Sequence, residues 1–247
     1  FVIASGLSLI WGVLRVINFA HGMFYMFGAY IIFTVTKSWG APFFVGVLAA
    51  GAGLAVIALG IERFLLRRLY GKEHLMQLLF TFAIVLLMSD AAKMIWGTDQ
   101  YSVGYPPALR GAVALGPTTV PQYLVFLCVA GPLIAITMWL LVDRTRWGRI
   151  VRAATQDREM LAALGVNVPI VYAMVFMIGS ALAGIGGALA APRIAVAPGM
   201  DATIIVECFI IVIIGGLGHL WGSFLGALAF GLVVQFGAIW IPAPARA

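Results

Sequence analysis

The sequence predicts an all-α integral membrane protein, a polytopic helical bundle with broken helices and about eight apolar segments. Three observations carry this. Of the 247 residues, 63% are hydrophobic and 10% charged, whereas a soluble domain is about 45–50% apolar and about 25% charged. A soluble fold of this size buries only about three quarters of its surface, so much of this apolar side chain would stay wet. The apolar runs are continuous, which favours helices over the alternating ~10-residue strands of a membrane barrel. The basic residues fall in short loops between those runs, the bias that orients spans in a bilayer.

In chain order, the first segment runs from Phe1 to about Leu14 and the second from Gly22 to about Val35. The third, Phe43 to Ile61, has no charge over roughly the length a bilayer core demands. The fourth, Leu75 to Trp96, carries Asp90 and Lys93, three residues apart on one helix face and expected to pair near the outer interface. The fifth covers Val120 to Val142 and the sixth Ile170 to Ala191. The seventh and eighth share Ala202 to Ile241, divided by Gly215-Gly216-Leu217-Gly218-His219. In the sixth, Gly179, Ala183, Gly187 and Ala191 recur every four residues beside Ser180, Gly184 and Ala188. Gly218, Gly222 and Gly226 repeat the device. Such spacing lets helices approach closely, within one subunit or between two.

Charge sets the orientation. Arg63, Arg67, Arg68 and Lys72 mark one loop, and Arg144, Arg146, Arg149, Arg152 and Arg158 another. The loops Gly97–Thr119 and Pro192–Asp201 carry only Arg110 and Arg193. The two basic loops are therefore cytoplasmic and the other two face out. The net charge of +6 thus reflects topology, and no nucleic-acid partner is expected. Phe1 opens inside an apolar stretch without an initiator Met, and Pro242 to Ala247 closes directly after another. Further helices are expected beyond both ends. No basic stretch marks a cleavable signal peptide.

Little in the chain suggests chemistry. Cys128 and Cys208 sit in apolar runs without motif spacing and read as small buried hydrophobes. Gly215-Gly216-Leu217-Gly218 lacks the Lys-Ser/Thr of a phosphate loop, and no nucleotide or cofactor fingerprint occurs. The chain is expected to be no enzyme and to hold no cofactor or metal. Any ATP it uses is bound by another polypeptide. Asn18-Phe19-Ala20-His21-Gly22 interrupts the first apolar hairpin. Either it is a broken element at membrane depth, with Asn18 and His21 lining or bracing a path, or it is a tight cytoplasmic turn in which Asn18 caps the next helix. Glu207, with Gly215, Gly216 and Gly218, completes the candidate path, and Glu207 and Asp90 are intramembrane ionisable groups.

Gly6-Leu7-Ser8-Leu9-Ile10-Trp11-Gly12-Val13, then Arg15 to Gly22 and Tyr25 to Tyr30, closely resembles the opening of bacterial branched-chain amino acid ABC permeases of the LivH type. The blocks Gly148 to Ala153 with Leu164 to Asn167, and Phe209 to Gly218 with Gly222 to Ala227, resemble the family's cytoplasmic loop and late glycine-rich break. The resemblance covers nearly the whole chain. It implies a multi-pass inner-membrane permease for Leu, Ile or Val, with a second LivM-like permease, two ATP-binding subunits and a periplasmic solute-binding protein as partners. Members usually continue before the position of Phe1 and after Pro242, and an acidic residue is common where Met23 stands.

On this basis 1–247 is one permease domain, and 143–168 is its cytoplasmic coupling loop. A short amphipathic helix there can seat in an ATPase groove. Arg149, Arg152, Asp157, Arg158 and Glu159 would offer polar contacts and Leu161 and Leu164 apolar ones, with Gly165 ending the helix at C′. The competing expectation is a basic helix lying on anionic membrane lipid. Two other functions are weighed: a urea or short-amide permease of the same superfamily, and a stand-alone secondary carrier or channel.

Overall fold

The structure, a computed structural model, describes residues 1–115 and 118–240. Its elements are α1 (Val2–Leu14), α2 (His21–Phe33), α3 (Phe43–Phe64), α4 (His74–Trp96), β1 (Ala112–Leu115), β2 (Thr118–Pro121), α5 (Gln122–Trp139), α6 (Arg146–Gln156), α7 (Arg158–Ala163), α8 (Val168–Ala190), α9 (Met200–Gly215) and α10 (Leu220–Trp240). The protein is thus a helical, polytopic membrane protein. Among the described residues, five stretches are long and apolar enough to span a bilayer: Phe43–Phe64, His74–Trp96, Gln122–Arg144, Val168–Ala190 and Leu220–Gly237. The expected end of the last segment at Ile241, and the tail from Pro242 to Ala247, lie outside the described residues.

The fifth segment starts later than hydropathy suggests. Val120 belongs to an antiparallel hairpin in which Ala112 pairs with Pro121 and Val113 with Val120. Its short run of β-branched residues suits a strand better than a helical turn.

α8 is the hub, packed against α1, α2 and α3. Its small residues are consumed inside the subunit. A β-carbon at Gly28 on α2 would stand 2.6 Å from the Gly184 Cα, and one at Gly187 would strike the Tyr25 carbonyl. One at Gly6 on α1 would strike the Gly179 carbonyl. The later row behaves likewise, with Gly226 against the Ile211 carbonyl at 2.7 Å. The end of the bundle away from α6 is tied by side chains: Tyr123 Oη donates to the Leu189 carbonyl (2.7 Å), and Trp96 Nε1 to Thr34 Oγ1 (2.8 Å). Asp90 and Lys93 pair at 3.3 Å on an exposed face. Cys208 is buried as expected, but Cys128 is exposed, on the side of α5 that faces away from the bundle.

Candidate functional site

Two chain breaks and the elbow between α5 and α8 form one connected region. α1 ends at Arg15, whose backbone is left-handed (φ 52°) and whose N–H closes on the Trp11 carbonyl. The chain from there to Ala20 is not helical, and α2 begins only at His21. His21 Nε2 lies 2.9 Å from the Ile3 carbonyl, at the far end of α1 from Arg15. From Ile3 to Leu14 is about 16 Å of helix, a distance that a short extended segment covers at about 3.3 Å per residue. The chain therefore climbs back alongside α1 as irregular backbone. Thr81 of α4 braces it, accepting from Phe19 N (3.4 Å) and donating to the Ile17 carbonyl (3.3 Å).

The N-cap of α2 is Ala20, without a side-chain cap, so the segment is not a tight turn capped by Asn18. Asn18 is fully buried, and neither its carboxamide oxygen nor its nitrogen meets a partner among the described residues. His21 is fully buried as well. A carbonyl can only accept, so Nε2 carries the proton shared with Ile3. In the neutral ring Nδ1 is then an unused acceptor. Glu207 is half-buried on α9 and hydrogen-bonds neither Asn18 nor His21.

The late break lies against the first helix. Gly216 (φ 86°) and Gly218 (φ 78°) take conformations that side chains resist, and a β-carbon at Gly12 on α1 would come within 2.7 Å of the Gly218 Cα. A cleft of about 470 Å³ runs from Gly218 and Gly12 to Arg152 and Thr155 on α6. The glycine break thus abuts the loop that carries α6.

That loop holds two helices instead of the single one expected. Thr145 Oγ1 caps α6 by accepting from Gly148 N (3.1 Å). The Asp157 carboxylate then accepts from Glu159 N (3.0 Å) and Met160 N (2.9 Å), which starts α7 and ends continuity with α6. α7 closes in a Schellman arrangement: Gly165 (φ 83°) N–H donates to the Ala162 carbonyl (3.0 Å) and Val166 N–H to the Leu161 carbonyl (3.3 Å). Leu161 cannot serve as an outward apolar contact. It is 5% exposed and belongs to the core, because the elbow turns that face of α7 onto the bundle. Leu164 at 74% and Met160 at 60% are the apolar groups on offer. Arg149, Asp157, Arg158 and Glu159 are exposed. Arg152 instead reaches back to Asp143 (2.7 Å) and the Val142 carbonyl.

Arg15 joins the two halves of the region, its guanidinium donating to the Thr155 carbonyl at the end of α6 (3.3 Å). A polar cleft of about 440 Å³ surrounds this contact, with Lys72, Gln77, Asp157 and Arg158 on its walls. Neither Arg15 nor Thr81 is singled out by sequence pattern as a brace. An αL arginine and a mid-helix threonine leave no periodic signature.

A family model described as branched-chain amino acid transport system / permease component matches residues 1–247. The high-affinity branched-chain amino acid transport system permease protein BraD of Pseudomonas aeruginosa is 30% identical, over 96% of this chain and 81% of that protein. LivH of Escherichia coli is 27% identical over 97% of this chain and 82% of its own length. The probable branched-chain amino acid transport permease protein LivH of Methanocaldococcus jannaschii is 25% identical, over 94% and 74%. No solved structure matches the chain.

Proposed function

Because this chain belongs to the family of branched-chain amino acid transport system permease components, we propose that it is the non-catalytic, membrane-spanning subunit of an ATP-driven importer that passes Leu, Ile and Val across the plasma membrane. ATP hydrolysis belongs to partner subunits, and a solute-binding protein delivers the amino acid. The finer assembly is a pair of permeases, this chain with a LivM-like one, on two ATP-binding subunits.

In the proposed mechanism the elbow of α6 and α7, within 143–168, is the handle. An ATPase groove takes Leu164 and Met160, with Arg149, Arg158 and Glu159 around them, and Asp157 holds α7 in place as its cap. Closure of the ATPase pair moves α6, and the Arg15–Thr155 contact carries that motion to the end of α1 and to the irregular segment after it. The route runs past Asn18, His21 and Glu207, and Gly215, Gly216 and Gly218 supply the pliable second break. α1 has 13 residues and α9 has 16, short of the ~20 a full crossing needs, while the helix of α2 runs on through a π turn to Ser38. In this reading α1, α2 and α9 join the five long helices as further membrane segments, α1 and α9 as partial ones.

The single observation that carries the route is Asn18, a buried carboxamide with no protein partner for either end among the described residues. Such a group costs about 1–3 kcal/mol unless something satisfies it, and a passing zwitterion or its water supplies what the protein does not. The named relatives lend no support to a urea or short-amide solute, and family membership displaces a stand-alone carrier. The test is uptake into proteoliposomes holding the full complex, with labelled Leu, Ile, Val, urea and acetamide. Uptake of the three amino acids that requires ATP and the binding protein is expected. Urea uptake in preference, or uptake without ATPase subunits, rejects the proposal.

A further inference from the structure

We propose that the furrow between the cytoplasmic ends of α3 and α8 binds one anionic phospholipid, its phosphodiester on Arg63 and Arg67 and an acyl chain along the two helices. The furrow holds about 330 Å³ and changes character with depth. Its rim carries Arg63, Arg67 and Asn167. Below the rim, Leu59 on α3 faces Ile170, Ala173, Met174 and Met177 on α8. Ala173 and Met174 stand three and four residues after Ile170, and Met177 stands four and three after them, so the four share one face and line about 10 Å of helix. Methionines suit a mobile chain, since their side chains fill irregular gaps at little cost.

Charge selects the occupant. Glu62 also lines the furrow, but it is 2% exposed and accepts a 2.9 Å hydrogen bond from Tyr70 Oη. Burial, and after it the Glu62 charge, pushes the Tyr70 phenol well above its usual range, so it remains a donor. Two exposed guanidiniums outnumber one sequestered carboxylate, so the furrow is net positive and suits a phosphodiester. Asn167 caps α8 with its oxygen, accepting from Ile170 N (3.3 Å), which leaves its NH2 group as the donor at the rim. The rim also lies where headgroups lie, at the cytoplasmic ends of two spanning helices. Phe64 (66%) and Ile170 (55%) keep that face open. A soluble phosphate makes no use of the apolar floor, and a zwitterionic lipid does not match the net charge. Basic pockets between helices on the cytoplasmic side are the usual form of such sites. The inference requires only that the chain spans the membrane in the orientation its loops dictate.

The experiment is native mass spectrometry of the assembled transporter released from nanodiscs of phosphatidylglycerol and phosphatidylcholine. Retention of phosphatidylglycerol over phosphatidylcholine is expected. Arg63→Gln and Arg67→Gln should each lower occupancy about fivefold, the equivalent of ~1 kcal/mol per basic residue. Arg68→Gln removes a neighbouring charge outside the furrow and should leave occupancy unchanged. Ala173→Phe fills the floor without touching charge and should also displace the lipid. Equal retention of both lipids, an equal loss in Arg68→Gln, or full retention in Ala173→Phe overturns the proposal. So does an Ile170→Cys crosslink to a partner subunit with no lipid retained.

Discussion

Replacing Asp157 separates capping from charge in the elbow. Its carboxylate makes two hydrogen bonds to the first turn of α7 (3.0 and 2.9 Å), and Asp→Ala at such a position costs about 1 kcal/mol. That is a large share for a helix of six residues. Besides the cap and the Gly165 closure, α7 is held by one buried side chain, Leu161, which contributes about 1.5–3 kcal/mol. Losing ~1 kcal/mol raises the frayed population of α7 about fivefold. Asp157→Ala should therefore speed hydrogen exchange of the amides from 158 to 164 about fivefold and lower leucine uptake per ATP hydrolysed. The melting temperature of the complex should scarcely move. Asn caps as well as Asp does, so Asp157→Asn should behave as wild type in both assays. If Asp157→Asn proved as damaging as Asp157→Ala, a charge contact with the ATPase would explain the site and the cap would not. Unchanged exchange in Asp157→Ala would refute the reasoning outright.

Three further outcomes follow from the geometry. Gly28→Ala and Gly187→Ala drive a β-carbon into backbone atoms of a facing helix, and overpacking of that kind costs about 1–3 kcal/mol; both should lower the thermal stability of the purified complex. Gly60→Ala, which meets nothing within 4 Å, should leave it unchanged. Arg15→Gly relieves the left-handed backbone of its β-carbon strain but removes the Thr155 contact, so ATP hydrolysis should persist while uptake per ATP falls; Arg15→Ala keeps the wild-type strain, so it should lose uptake equally and be about 1 kcal/mol less stable than Arg15→Gly. Asn18→Ala should reduce uptake velocity in proteoliposomes with normal yield of complex, whereas a merely structural Asn18 would show itself as reduced yield.

Much of the fold was legible because hydropathy and charge act locally. The spans, the Asp90–Lys93 pair and the end of the elbow at Gly165 depend on residues within a few positions of one another. What was hidden depends on distant partners or on a local competition that composition conceals. Helix-forming Ala and Leu around 153–164 suggested one helix, and the cap made by Asp157 outweighed them. Leu161 looked like an exposed contact until α7 folded against the bundle. Asn18 could be narrowed to a brace or a cap, but its burial depends on helices far from it in sequence. Val120 was absorbed into a helix since a hairpin strand and a helix start look alike over so few residues. Arg15 holds a backbone conformation for which Gly or Asn is the usual signal.

The decisive measurement places a photoreactive crosslinker on Leu164→Cys in the assembled transporter, with Cys128→Ser and Cys208→Ala removing the native thiols. Met94, 88% exposed on α4, provides the control as Met94→Cys. If the elbow is the handle, position 164 crosslinks to an ATP-binding subunit, with a yield that changes between nucleotide-free and ATP-bound states, and position 94 does not. Crosslinking of position 164 to lipid alone, with the ATP-binding subunit untouched in both states, would contradict it.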